Sequence, residues 1–176
     1  LKALRRADAT LVFNPVLAAD IAPHARRVVE LPPGIDLALF PAPARPAPRE
    51  LVVGYAGSPR WEGSGFVALA SYVESHPAIR LFLMVPELPE ALREVDPARI
   101  DLVGWRHDYD EYARILAAAA PDILVAPLDG SRFTASKVPL KWLDASAVGA
   151  AGVYSRLPPY TEVVRHGETG LLVDND

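Results

Sequence analysis

The 176-residue chain carries 18 basic and 22 acidic side chains, a formal charge of −4, and 51% of its residues are apolar. That composition describes a globular protein with room for one sizeable domain, or one domain and a fragment of another, and the acidic balance argues against a nucleic-acid partner. The sequence has no cysteine, which excludes disulfides and thiolate metal sites, and no apolar run approaches the roughly 20 residues that a membrane span needs.

The four histidines, His24, His76, His107 and His166, are scattered without metal-ligand spacing. The sequence opens on Leu1 with no secretory signal pattern, so we expect a piece of a longer protein.

In chain order, LKALRRADATLVFNP reads as a helix end followed by a short strand, and VLAADIAPHA as a short helix stopped near Pro23. RRVVELPPGIDLALF gives a second strand and a turn at Pro32, Pro33 and Gly34. Pro41 to Arg49, PAPARPAPR, holds an extended conformation and reads as a linker or edge-crossing segment. From Leu51 the pattern turns regular. Apolar runs of strand length (LVVGYAG, IRLFLMVP, IDLVGW, DILVAPL, AGVYS, GLLV) alternate with helical patterns. GFVALASYVESHP buries Phe66, Leu69, Ala70 and Val73. DYDEYARILAAAA offers Tyr112, Ile115, Leu116 and Ala119 on one face, with acids in its first turn. LPEALREV, KVPLKWLDASAV and PYTEVVRH complete five helices against about six strands. Strands apolar on both faces that alternate with helices predict a doubly wound, Rossmann-like parallel sheet, an α/β fold.

In such sheets ligands bind beyond the carboxyl ends of the strands, which selects three segments. GYAGSPRWEGSG follows the first strand of the regular region. Its glycines, Gly57 among them, with Ser58 let backbone amides approach a phosphate, and Arg60 adds charge; a tight turn needs the same glycines. The spacing is not the dinucleotide G-x-G-x-x-G, and no acid ends the second strand. SKVPLKWLDASAV places Lys137, Lys141 and Asp144 at i, i+4 and i+7 near a helix start. A cation there opposes the helix dipole unless an anionic ligand is bound; the other reading is an exposed face with a Lys141–Asp144 pair. Both Lys137 and Asp144 are expected to face the crevice rather than the core. Trp105 and Arg106 end a strand on the ligand side, where the Trp would border a base or pack the rim. His166 and Glu168 sit in VRHGETG without mutual orientation and read as a surface turn.

The order of these segments resembles the C-terminal half of retaining glycosyltransferases of the GT-B fold, the "group 1" family, family 4-like. ADATLVFNPVLAADI with ELPPGIDLALF is similar to the family's crossover, VVGYAGSPRWEG to its strand-plus-glycine opening, and ILAAAAPDILVAPL to its "l-x-x-a-D-i-x-l-x-P". FTASKVPLKWLDASAVGAAGVYS with PPYTEVVRHGETGLLV is the most specific match. The resemblance implies residues 1–47 as crossover or tail of an N-terminal GT-B domain plus linker, and residues 48–176 as a nucleotide-sugar-binding domain. It implies hexosyltransferase-like transfer from a nucleotide-diphosphate sugar, a substrate rather than a cofactor, with no metal. The acceptor would be a glycan or lipid-linked group held by the missing N-terminal domain, in polysaccharide or glycoconjugate synthesis. The fragment alone is expected to be inactive, and the location cytoplasmic, with a peripheral membrane position as the variant.

The family pattern of a Glu, seven residues and a second Glu falls on Ser136 and Asp144, so that Asp144 keeps a ribose-binding carboxylate and Ser136 stands where a sugar contact is expected. Glu62-Gly63 stands in place of Lys-Gly, leaving Arg60 and Lys137 to meet the diphosphate. The alternative of another class is a degenerate, non-catalytic scaffold domain in a larger protein.

Overall fold

A computed structural model describes residues 1–42, 50–58 and 65–175. Two helices and two strands precede the main body: α1 (Lys2–Arg6), β1 (Thr10–Val12), α2 (Pro15–Ile21) and β2 (Val28–Glu30). The main body follows as β3 (Leu51–Ala56), α3 (Gly65–Ser75), β4 (Ile79–Met84), β5 (Ile100–Val103), α4 (Tyr109–Ala119), β6 (Ile123–Ala126), α5 (Arg132–Ala135), α6 (Leu140–Val148), β7 (Ala151–Ser155), α7 (Tyr160–Val163) and β8 (Leu171–Val173). Its six strands pair in the order β5-β4-β3-β6-β7-β8, every pair parallel. This is the doubly wound arrangement expected from the alternating pattern, and the strand order reverses between β3 and β6.

The sheet separates two cores. Ala56, Phe82, Met84, Leu124, Tyr154 and Leu172 pack on one side against α4, α6 and α7. Val53, Tyr55, Leu81 and Leu83 pack on the other against Phe66, Leu69, Ala70 and Val73 of α3, the four residues its sequence spacing selects. In α4 the buried stripe is Tyr112, Ala113, Leu116 and Ala117; Ile115 and Ala119, expected at its centre, lie at its half-buried margin. Small Ala113 and Ala117 let α4 approach the sheet, which rotates the stripe by about one residue. LPEALREV forms only a 3₁₀ turn, Glu90–Leu92, rather than the expected helix.

Residues 1–42 fold onto the body. Thr10 to Val12 and Val28 to Glu30 form their own two-stranded parallel sheet. The ties to the body are made by Asn14, by an Asp20–Arg132 ion pair and by Phe40, which enters the main core edge-on to Tyr109 at 6.3 Å. The Pro/Ala stretch 43–49 lies outside the described residues. Among the described residues no helix is long and apolar enough to cross a membrane.

Candidate functional site

A crevice of about 550 Å³ opens at the carboxyl ends of β3 and β6, where the strand order reverses. Its first wall follows β3. Gly57 has φ +154°, and a Cβ there would come within 3.0 Å of both Lys141 Cε and Tyr55 Oη, so the close approach requires glycine. The Tyr55 hydroxyl donates to the Ser58 carbonyl at 2.9 Å and accepts from Lys141 Nζ at 3.0 Å, while the ammonium lies 4.2 Å from the Tyr55 ring centroid. Lys141 is thereby pinned by a cation–π contact and a hydrogen bond at the mouth of the β3 turn.

The second wall is the α5–α6 segment. Asp129 Oδ1 accepts from Ser131 N at 2.9 Å and from Thr134 Oγ1 at 2.8 Å, and the Ser131 hydroxyl caps α5. Hydrogen bonding from Ser131 holds the Asp129 carboxyl below its usual range. α5 then stops at Ser136, and α6 starts only at Leu140. This corrects the single helix expected from KVPLKWLDASAV. Proline disfavours helical geometry at the residue before it, so Val138-Pro139 breaks the run, and Lys137 precedes the helix instead of lying on its first turn. The break still delivers all three predicted side chains to one place: Lys137, Lys141 and Asp144 line the crevice together. Among the described residues no side chain caps α6, and its N-terminus opens onto the same space through Val138, Leu140 and Lys141.

Asp144 departs most from expectation. It lies at the crevice floor with only 6% exposure and accepts a 2.7 Å hydrogen bond from the Tyr112 hydroxyl. Burial pushes its pKa up to about 6, against the opposing pull of that hydrogen bond and of Lys141. A carboxylate expected on an open helix face is therefore half core and half site, because Asp144 is on the side of α6 that meets α4.

Aromatic rings build the third wall. Tyr109 stacks on Tyr112 with centroids 5.7 Å apart, and Trp105, 39% exposed, sits 6.2 Å from Tyr112. Arg106 lines the crevice, but its guanidinium donates to Glu111 Oε1 at 3.0 Å and to the Gly104 carbonyl at 2.9 Å, so it mainly braces the turn that presents Trp105.

A family model described as "Glycosyl transferases group 1" matches residues 51–176. The chain belongs to the group 1 glycosyl transferases. No curated protein sequence matches it at a significant level. Among solved structures, the C-terminal domain of LpcC, a glycosyl transferase group 1 family protein from Francisella tularensis, superposes with a TM-score of 0.59 at 21% identity, covering 80% of each chain. HepE from Anabaena, solved in complex with UDP and glucose, gives 0.64 at 18% identity over 98% of this chain and 51% of its own. An S. aureus TarM variant, solved with fondaparinux, alpha-GlcNAc-glycerol and UDP, gives 0.66 at 11% identity over 98% of this chain and 35% of its own. The chain thus spans about half or less of the HepE and TarM chains. At these identities the likeness is one of fold, that of a GT-B C-terminal domain.

Within this glycosyl transferase domain the predicted site residues separate clearly. Gly57, Ser58, Trp105, Arg106, Lys137, Lys141 and Asp144 converge on the crevice. Ser136 does not line it; its hydroxyl donates back to the Arg132 carbonyl at 2.9 Å. Arg60, Glu62 and Gly63 lie outside the described residues. His166 is a structural group: its Nδ1 accepts the Leu172 amide at 3.0 Å.

Sequence reasoning passed over Tyr112, placed among core residues by its spacing, and Tyr55, one apolar letter in a strand. It also passed over Asn14. That side chain caps α2 through the Leu17 amide at 2.8 Å and donates to the Lys137 carbonyl at 2.8 Å, which ties residues 1–42 to the site. Asn-Pro before a helix signals the cap, but nothing local signals a partner 123 positions away.

Proposed function

We propose that this domain holds the nucleoside diphosphate of a nucleotide-sugar donor in the crevice, as the donor-binding half of a hexosyltransferase that builds a polysaccharide or glycoconjugate. The observation that carries the reading is the convergence of Lys137, Lys141, the uncapped α6 N-terminus and the Asp144 carboxylate at the point where the strand order reverses. Cations and helix amides suit a diphosphate and its leaving charge, the carboxylate suits ribose hydroxyls, and the Trp105–Tyr109–Tyr112 wall suits a base. Gly57 and Ser58 bring backbone close to the phosphates, Arg106 sets Trp105, and Arg60, two positions beyond Ser58 in the sequence, is proposed to add charge. HepE and TarM were each solved with UDP.

In this reading residues 48–176 are the donor domain and residues 1–47 lead from a neighbouring domain that holds a glycan or lipid-linked acceptor. The donor is a substrate, and neither metal nor cofactor is required. Transfer follows the retaining, family 4-like course of the sequence pattern, in the cytoplasm or peripherally at its membrane, and the 176 residues alone do not transfer sugar.

A thermal-shift panel of nucleoside diphosphates and their sugars tests the reading. We expect at least one to raise the melting temperature in a saturable way. No shift from any of them at millimolar concentration overturns it and favours the second reading, a scaffold domain without donor. The observation on that side is Ser136, turned away from the crevice where the family places a carboxylate.

A further inference from the structure

Tyr112 belongs to α4, on the opposite side of the crevice floor from α6, and it is nearly as buried as Asp144. Its neighbours hold it rigidly. Asp108 caps α4 by accepting the Glu111 amide at 2.8 Å, and Tyr109 stacks on the ring at an interplanar angle of 15°. Burial raises the Tyr112 pKa far above the ordinary phenol value, so its hydroxyl remains a proton donor at every physiological pH. The acceptor it meets among the described residues is Asp144 Oδ2. Asp144 Oδ1, on the same crevice-lining carboxylate, takes no hydrogen bond among the described residues.

We propose that Tyr112 is a positioning residue for Asp144: its hydroxyl clamps Oδ2 against α4 and leaves Oδ1 aimed as the acceptor for a ribose hydroxyl of the bound nucleotide. The inference rests on the donor-binding reading and adds a residue from a different helix to it. Two consequences follow from the geometry. The clamp removes rotamer freedom from the carboxylate before ligand arrives. It also favours the ionised form of a group that burial disfavours, which keeps Asp144 an acceptor at neutral pH. The other ionisable groups facing the carboxylate are Lys141 on its own helix, which favours the charge, and Tyr109 and Tyr154, whose ionisation Asp144 suppresses.

Calorimetric titration of wild type and Tyr112→Phe with uridine diphosphate and guanosine diphosphate across pH 5.5–8.5 separates positioning from bulk packing. Wild-type affinity should rise with pH through about 6 and then level off. In Tyr112→Phe the rise should move to higher pH. For a shift of one unit that costs about fivefold in affinity at pH 6, more at pH 5.5 and much less at pH 8.5, since the full factor of about ten is reached only well below both acid equilibria. Inorganic pyrophosphate, which has no ribose, should bind both proteins alike. In an Asp144→Ala background, which leaves no acceptor for the hydroxyl, Tyr112→Phe should change nucleotide affinity little, because the coupled partner is gone.

An unmoved inflection, or additive losses in the double variant, overturns the clamp while leaving the donor reading intact. Melting curves identify a Tyr112→Phe protein that fails to fold, and in that case the pH profile of Asp144→Asn decides. The proposal requires that this variant lose the rise near pH 6, and a rise that persists overturns it. If wild type binds no nucleotide, the donor reading fails first and the clamp falls with it.

Discussion

Two openings of nearly equal size flank the main sheet. The crevice at the ends of β3 and β6 measures about 550 Å³, and a groove between α3 and the open face of β6, β7 and β8 about 570 Å³. The groove is floored by Ile123, Val125, Val153 and Val173 and walled by Val67 and Tyr72 of α3. Its polar rim is already engaged: Asp174 pairs with Arg156 at 3.1 Å, and Asn175 bridges the Ser155 hydroxyl and the Leu128 carbonyl. In the crevice, Lys137 lies 5.5 Å from the Phe133 ring centroid, with no salt bridge among the described residues and only a through-space attraction to Asp129, and the Asp144 carboxylate is buried at a cost. Volume does not distinguish the two. A cation without a salt bridge among the described residues and a carboxylate that burial disfavours do, and they meet where a helix N-terminus and strand ends converge.

The largest effect that sharpens this contrast is on stability. The folded pKa of Asp144, about 6, lies above its unfolded value near 3.8, so the native state binds the extra proton between those values. Stability gained from protonation is fully present below pH 4 and is lost as pH rises through 6. Ionised Asp144 then costs about 3 kcal/mol, two pKa units at roughly 1.4 kcal/mol each. Asp144→Asn, which can still accept from Tyr112, should therefore be more stable than wild type at pH 8 by up to about that amount, with the gap closing towards pH 4. Urea unfolding at several pH values measures it; a less stable variant at pH 8 would show that Asp144 is an ordinary paired carboxylate.

Lys137→Ala should weaken nucleoside diphosphate binding by about 1.5–3 kcal/mol, the worth of a charge-assisted contact, and leave the melting temperature within a degree or two. A loss under 1 kcal/mol in calorimetry would make it a surface charge. Gly57→Ala should cost about 1 kcal/mol of stability from the backbone and weaken binding further by displacing Lys141, which thermal melts and titration separate. The smallest change belongs to the groove. Tyr72→Ser, on the exposed side of α3, should alter nucleotide affinity by less than about 0.5 kcal/mol, and a larger loss would blur the distinction between the two openings.

Sequence pattern carried most of the fold because the strands are buried on both faces and the helices are amphipathic. Phe66, Leu69, Ala70 and Val73 could be read directly as the face of α3. The site was legible where chemistry shows in the residue type: Lys137, Lys141 and Asp144 are conspicuous charges beside an apolar strand. The path that brings them together was not. Periodicity assigned Lys137 to a helix that Val138-Pro139 in fact delays, and it put Asp144 on an open face when the neighbouring α4 buries it. Tyr112 and Asn14 were invisible as site residues because their roles depend on partners 32 and 123 positions away, and no local signal encodes such a contact.

The convergence of a phosphate-binding cation and a ribose-binding carboxylate is tested most directly by calorimetry of wild type, Lys137→Ala and Asp144→Asn against a nucleoside diphosphate and inorganic pyrophosphate. We expect Lys137→Ala to weaken both ligands and Asp144→Asn to weaken the nucleotide alone. Equal binding of the nucleotide by all three proteins would contradict the placement of the site in this crevice.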